Sequence, residues 1–174
     1  MRDKVVIIML FLILTAIALF THCNDSSKSG FGDIDLVISY AEKNAPSFAE
    51  KDSKKRLILL LNFEDFSCPP CFDDLITFID LLKTKPVNKN QIIALLPNKG
   101  EKDSLAIKRW DYWRRINDID FPVLMMDNNI TEIVNEMKSK AVVVDSKSKI
   151  LFQEKFPMDA KKHNTIMQLM ADKK

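Results

Sequence analysis

Cys68 and Cys71 stand two residues apart, with Pro69 and Pro70 between them. That spacing lets one thiol close onto the other, and a thiolate is the species that attacks a disulfide. An apolar run, residues 57–61, leads up to the pair. Phe72, Leu75, Ile76, Ile79 and Leu82 follow it at helical spacing. The second cysteine therefore opens an amphipathic helix, and Cys68 lies just before its N-terminus. Unpaired backbone N–H groups and the positive end of the helix dipole favour a thiolate there. Strand, Cys-Pro-Pro-Cys, helix is an arrangement suited to reversible dithiol–disulfide exchange.

Two other readings of the pair stay open, with less to support them. Zinc needs about four ligands. The chain has three cysteines and two histidines, His22 and His163, and they complete no such set. A purely structural disulfide would close a very small loop and constrain the unfolded chain little. Glu64 and Asp65 precede the pair, and Asp73 and Asp74 follow it. Carboxylates beside a thiolate disfavour it, so the pair is expected to prefer the disulfide and to donate electrons. Asp73 and Asp74 are expected to complement the helix dipole. Glu64 is the candidate for passing protons to and from Cys71. His163 falls in a lysine-rich first turn of the last helix and is expected at the surface.

The composition allows one domain of ordinary size plus a further segment. The chain has 174 residues, 47% of them hydrophobic and 29% charged, and a formal net charge of +2. That charge gives no reason to expect nucleic acid as a partner. Arg2 and Lys4 precede an apolar run at 5–20, and Cys23 comes just after it. A positive start and one hydrophobic run read as an export signal. Residues 1–23 are thus expected to be a signal peptide or a lipoprotein or membrane anchor, with Cys23 as the lipid-attachment site. Phe20 and His22 depart from the residues usual before an acylated cysteine, so an uncleaved anchor and ordinary cleavage stay open. Residues 24–32, polar and rich in Ser and Gly, read as a tether, and 33–174 as the folded domain.

Within that domain Asp33 is expected to cap a helix bearing Ile34, Val37, Ile38 and Ala41. Residues 47–49 are expected to be extended, and 50–56 a solvated loop. A central strand at 57–63, apolar on both faces, suits a parallel strand covered by helices. A second strand follows at 91–96. A helix at 101–117 carries Ala106, Trp110, Trp113 and Ile116 on its inner face. A short extended piece at 121–127, a short helix at 130–137 and a β-hairpin at 141–154 come next. A last helix, capped by Asp159, faces Ile166, Met167 and Met170 inward. Strands joined by helices, with a closing antiparallel pair, describe an α/β sandwich.

Asn62-Phe63 followed by Cys68-Pro-Pro-Cys71 resembles the active-site segment of the membrane-anchored thioredoxin-like thiol-disulfide oxidoreductases of the TlpA/ResA type. Phe121-Pro-Val-Leu, Asp127 and the hairpin strand ending at Asp145 follow in that family's order. The resemblance implies a thioredoxin-like α/β/α sandwich with a central mixed sheet, preceded by the N-terminal signal or anchor segment. It implies Cys68 as the attacking thiol and Cys71 as the resolving one, with no cofactor and no metal. It also implies, as partners, cysteine-containing exported proteins and a membrane electron donor. The location would be extracytoplasmic, in a bacterial periplasm or on the outer cell surface. The chain departs from the family at Glu64 and Ser67, where tryptophans are usual. It departs again near Ser139, where the family carries a cis-proline. A non-proline cis bond costs about 2.5–4 kcal/mol, so none is expected there. These departures favour a second reading, a thioredoxin-fold lipoprotein that binds a partner and keeps its disulfide as a structural bond. A peroxidase reading fails, because Asp65 and Leu61 stand where peroxiredoxins place Thr and Pro.

Overall fold

The structure is a computed structural model that describes residues 34–49, 55–62, 68–98, 104–134 and 138–171. All of them belong to one compact unit, Gly32–Lys174. The expected signal and tether segments, Cys23, the cap Asp33 and Glu64 lie outside the described residues. None of the helices among the described residues is long and apolar enough to cross a membrane.

The elements run α1 (Ile34–Asn44), β1 (Lys55–Leu60), α2 (Pro69–Thr84), a 3₁₀ turn (Lys89–Gln91), β2 (Ile92–Leu96) and α3 (Ser104–Ile116). They continue with β3 (Val123–Met125), α4 (Asn128–Val134), β4 (Lys140–Asp145), β5 (Ile150–Lys155) and α5 (Ala160–Met170). The strands form one mixed sheet in the order β3-β2-β1-β4-β5. β2 lies parallel to β1, with Leu57 opposite Ile92, and β3 lies parallel to β2. β4 runs antiparallel to β1, with Ile58 opposite Val142, and β5 antiparallel to β4.

β1 is the middle strand, and it is buried on both sides because both faces of the sheet are covered. Leu57, Leu59, Ile92, Ala94, Ala141 and Val143 face one layer, packing with Leu75, Phe78, Ile79 and Leu82 of α2, Trp110 of α3, and Ile166, Met167 and Met170 of α5. Ile58, Leu60, Ile93, Leu95, Val142 and Val144 are equally buried and, by strand alternation, face the other side. α1 and α4 touch each other and supply buried Val37, Ile38, Ala41, Ile130 and Val134.

The expected order of elements holds, and the differences have local causes. α2 opens at Pro69 rather than at Cys71. Proline suits the first helical positions, where its missing N–H would have had no partner. Residues 46–49 form a turn rather than an extended piece, and Phe48 is fully buried beneath it. Arg56, expected in a solvated loop, lies in β1 and is buried. It pairs with Glu42 of α1, and its guanidinium sits 5.4 Å from the centre of the Phe48 ring. A buried charge needs such partners, and sequence cannot show them. Ile116, expected to face inward, is exposed at the end of α3.

Phe78 is the point where the layers of this face meet. Its ring is fully buried, 5.9 Å from the ring of Phe156 and 5.1 Å from that of His163. Phe78→Ala should lower stability by about 3–5 kcal/mol, the usual cost of an aromatic-to-alanine cavity. A shift of the urea unfolding midpoint, at unchanged slope, is the measurement.

Candidate active site

Cys68 is the N-cap of α2, with φ −93° and ψ 107°, and its side chain is exposed. Its carbonyl accepts from the N–H groups of Cys71 at 3.0 Å and Phe72 at 3.2 Å. Pro69 and Pro70, both exposed, fill the first two helical positions. Cys71 follows at the third and is half-buried. The sheet delivers this turn to the C-terminal end of β1. Leu60 is paired with Lys140, so the start of β4 and the end of β5 lie at the same end. The first turn of α5 comes there as well, because only four residues separate it from β5.

Beside the cysteines α3 covers the opening of α2. The Phe72 ring lies 5.8 Å from that of Trp113, which in turn lies 4.6 Å from that of Trp110. Trp110 is core, as expected, and Trp113 is half-buried.

The carboxylates after the pair behave differently from the expectation. Because α2 opens at Pro69, Asp73 and Asp74 fall in its second turn, and its first turn holds no acid. Neither therefore serves the helix end. Asp73 is exposed. Asp74 turns inward, with only 12% of its side chain exposed, and its Oδ2 accepts from the N–H of Met158 at 2.6 Å. Its Oδ1 lies 3.1 Å from Nε2 of His163, a histidine 3% exposed. His163, expected at the surface, is thus buried against α2. Position in a lysine-rich turn misled the reading, since His163 sits on the inward stripe with Ile166, Met167 and Met170. That stripe was the available signal, and its partner on α2 was not legible.

Ser139 occupies the place just before β4 where the family carries its cis-proline. Its hydroxyl accepts from the N–H of Asn62 at 2.8 Å and approaches the Asn62 carbonyl at 3.2 Å. Its own carbonyl accepts from the N–H of Phe156 at 3.0 Å. The cis peptide among the described residues is Phe156–Pro157, at the end of β5. No group of three or more metal-ligating side chains occurs among the described residues.

The fold is matched in solved structures. A thiol:disulfide interchange protein of the thioredoxin family from Chlorobium tepidum TLS superposes with a TM-score of 0.51 at 14% identity, over 70% of this chain and 83% of that one. The chain has the thioredoxin fold. A thiol-disulfide isomerase from Corynebacterium glutamicum matches it with the same TM-score at 13% identity, over 70% and 83% of the two chains. No protein-family model matches the sequence. No curated protein matches it either. The thioredoxin fold accounts for the place of the cysteine turn, at the exposed start of a helix that the sheet holds rigidly.

Lys140 follows Ser139 at this end and faces the opposite layer from Ala141. It is buried, and burial first, then the neighbouring Lys155 charge, lower its pKa from 10.5 to about 8. Between those values the unfolded chain holds a proton that the folded chain has released. Stability should therefore rise with pH from about 8 to 10.5. In Lys140→Met that rise should flatten, read from urea unfolding across the same pH window.

Proposed function

We propose that the protein is an extracytoplasmic, membrane-tethered thiol–disulfide oxidoreductase that reduces disulfides of exported proteins. The observation that carries the reading is Cys68, exposed at the N-cap of α2, with Cys71 one turn behind it. A thiolate at Cys68 attacks a substrate disulfide, and Cys71 then attacks the Cys68 sulfur and releases the reduced substrate. The pair ends as a disulfide, and a dithiol partner must return two electrons to it. The hydrophobic run at 5–20 and Cys23 support a membrane tether through lipid or through the run itself. Ser67 and Ser139, in place of the family's tryptophan and cis-proline, favour the second reading, a partner-binding module whose disulfide is structural.

The two readings part on turnover. The full chain in detergent should reduce a model disulfide with dithiothreitol as electron source. Cys68→Ser should abolish that activity, and Cys71→Ser should accumulate a mixed disulfide on Cys68, seen by mass spectrometry. Full activity in Cys68→Ser would sink the assignment, and no activity in the native chain would leave the binding module. Fractionation of cells should place the chain in membranes, accessible to protease from outside. Labelled palmitate should appear on it if Cys23 is acylated and vanish in Cys23→Ser. Recovery in the cytosol would overturn the tether.

A further inference from the structure

The pair Asp74 and His163 lies outside the dithiol itself, with Asp74 on the helix that carries Cys71. Asp74 is three residues after Cys71 on α2. Side chains at that spacing are neighbours on one helix face, with Cβ atoms about 5–6 Å apart. The two oxygens of Asp74 are met by the Met158 N–H and by the His163 ring. Both come from the chain that leaves β5 and enters α5, at the cysteine end of the sheet. His163 is 3% exposed, and the Phe78 ring fixes it from below at 5.1 Å. Its Nε2 is buried and, although 3.1 Å from Asp74 Oδ1, lies off the line of a hydrogen bond among the described residues. A buried imidazole nitrogen beside a carboxylate, without a hydrogen bond among the described residues, is a costly arrangement to keep for packing alone.

We propose that His163 is a positioning residue for the resolving step, holding Asp74 as the carboxylate that takes the proton of Cys71. The inference rests on the exchange reading above and deepens it. In the mixed disulfide the Cys71 S–H gives its proton to Asp74. The Cys71 sulfur then bonds to the Cys68 sulfur, and the bond from Cys68 to the substrate breaks. The substrate sulfur leaves with the electron pair as a thiolate and takes a proton from water. The cysteine pair is oxidised by two electrons, the substrate is reduced by two, and a dithiol donor later restores the pair. The His163 ring lies against the carboxylate and holds the side chain in place. Of the other charged groups at the start of α5, Lys161 is exposed and two have partners elsewhere. Asp159 caps the helix by accepting from the Lys162 N–H, and Lys162 lies 3.1 Å from Glu154 of β5. Asp73 points to solvent. His163 is thus the cationic or donor side chain that the described residues turn toward Asp74.

The test separates the two steps by rapid mixing of the full chain with a model disulfide. Attack is read as formation of the mixed disulfide, and resolution as release of the second thiol. His163→Phe keeps the ring against Phe78 and removes the nitrogens. It should attack at the native rate and resolve about tenfold more slowly. His163→Gln, which keeps an N–H donor, should recover part of the rate. Asp74→Asn should slow resolution as well, and adding His163→Phe to it should have no further effect, as expected of residues acting through one another. A packing role would instead lower the urea midpoint, slow attack and resolution alike, and give no recovery in His163→Gln. Native resolution in either single variant, or additive losses in the double variant, would overturn the inference. Failure of the native chain to form a mixed disulfide at all would count against the exchange reading itself.

Discussion

Two prolines at the first two positions of α2 constrain everything around the cysteines. A helix interior cannot hold them, because each lacks an N–H and would clash with the preceding turn. At the start of a helix they cost almost nothing, since those N–H groups would have gone unpaired. The helix therefore begins at Pro69, Cys68 becomes its cap, and Cys71 is fixed at the third position. No side chain caps this end. The Cys68 carbonyl closes the first turn by accepting from Cys71 and Phe72. The exposed thiol and the inward-facing thiol are thus set apart by backbone chemistry before any tertiary contact is made.

That local device is useful only on a rigid support, and the sheet supplies it. β1 is paired on both edges and buried on both faces, and it packs against α2 through Leu57 and Leu59. Leu75, Phe78, Ile79 and Leu82 anchor α2 along its whole length. The same four residues set its rotation, which turns Asp74 toward Met158 and His163. One hydrophobic stripe thereby decides both stability and which polar side chain of α2 is buried.

The stripes and the cysteine motif were legible in the sequence because each is a short-range pattern. Apolar runs gave the inner strands, helical spacing gave α2 and α5, and Asp159 proved to be the cap it was read as. What escaped is what depends on a partner far along the chain. Arg56 read as solvated because nothing local shows Glu42 and Phe48 meeting it. Asp74 read as a helix-end charge because the start of α2 was placed two residues late. His163 read as a surface residue because its neighbours are lysines, although its position on the inner stripe argued otherwise. Ile116 continues the helical spacing of Trp110 and Trp113, but the layer beneath α3 ends before it. In each case periodicity identified the face and tertiary packing decided its extent.

Ser139 shows how the fold closes its cysteine end without a proline there. Its hydroxyl engages both backbone groups of Asn62, and its carbonyl takes the N–H of Phe156. Three chain segments are stitched at one residue: the exit of β1, the entry of β4 and the exit of β5. The Phe156 end of that stitch continues to Met158, whose N–H holds Asp74. A continuous path of hydrogen bonds therefore runs from the strand that leads into the cysteine turn, through Ser139 and the β5 exit, back to the helix that carries Cys71. Ser139 directs its hydroxyl and its carbonyl to the protein's own backbone. Among the described residues, Cys68 is exposed beside exposed Pro69 and Pro70, and the half-buried Phe72 and Trp113 rings pack together one turn further on.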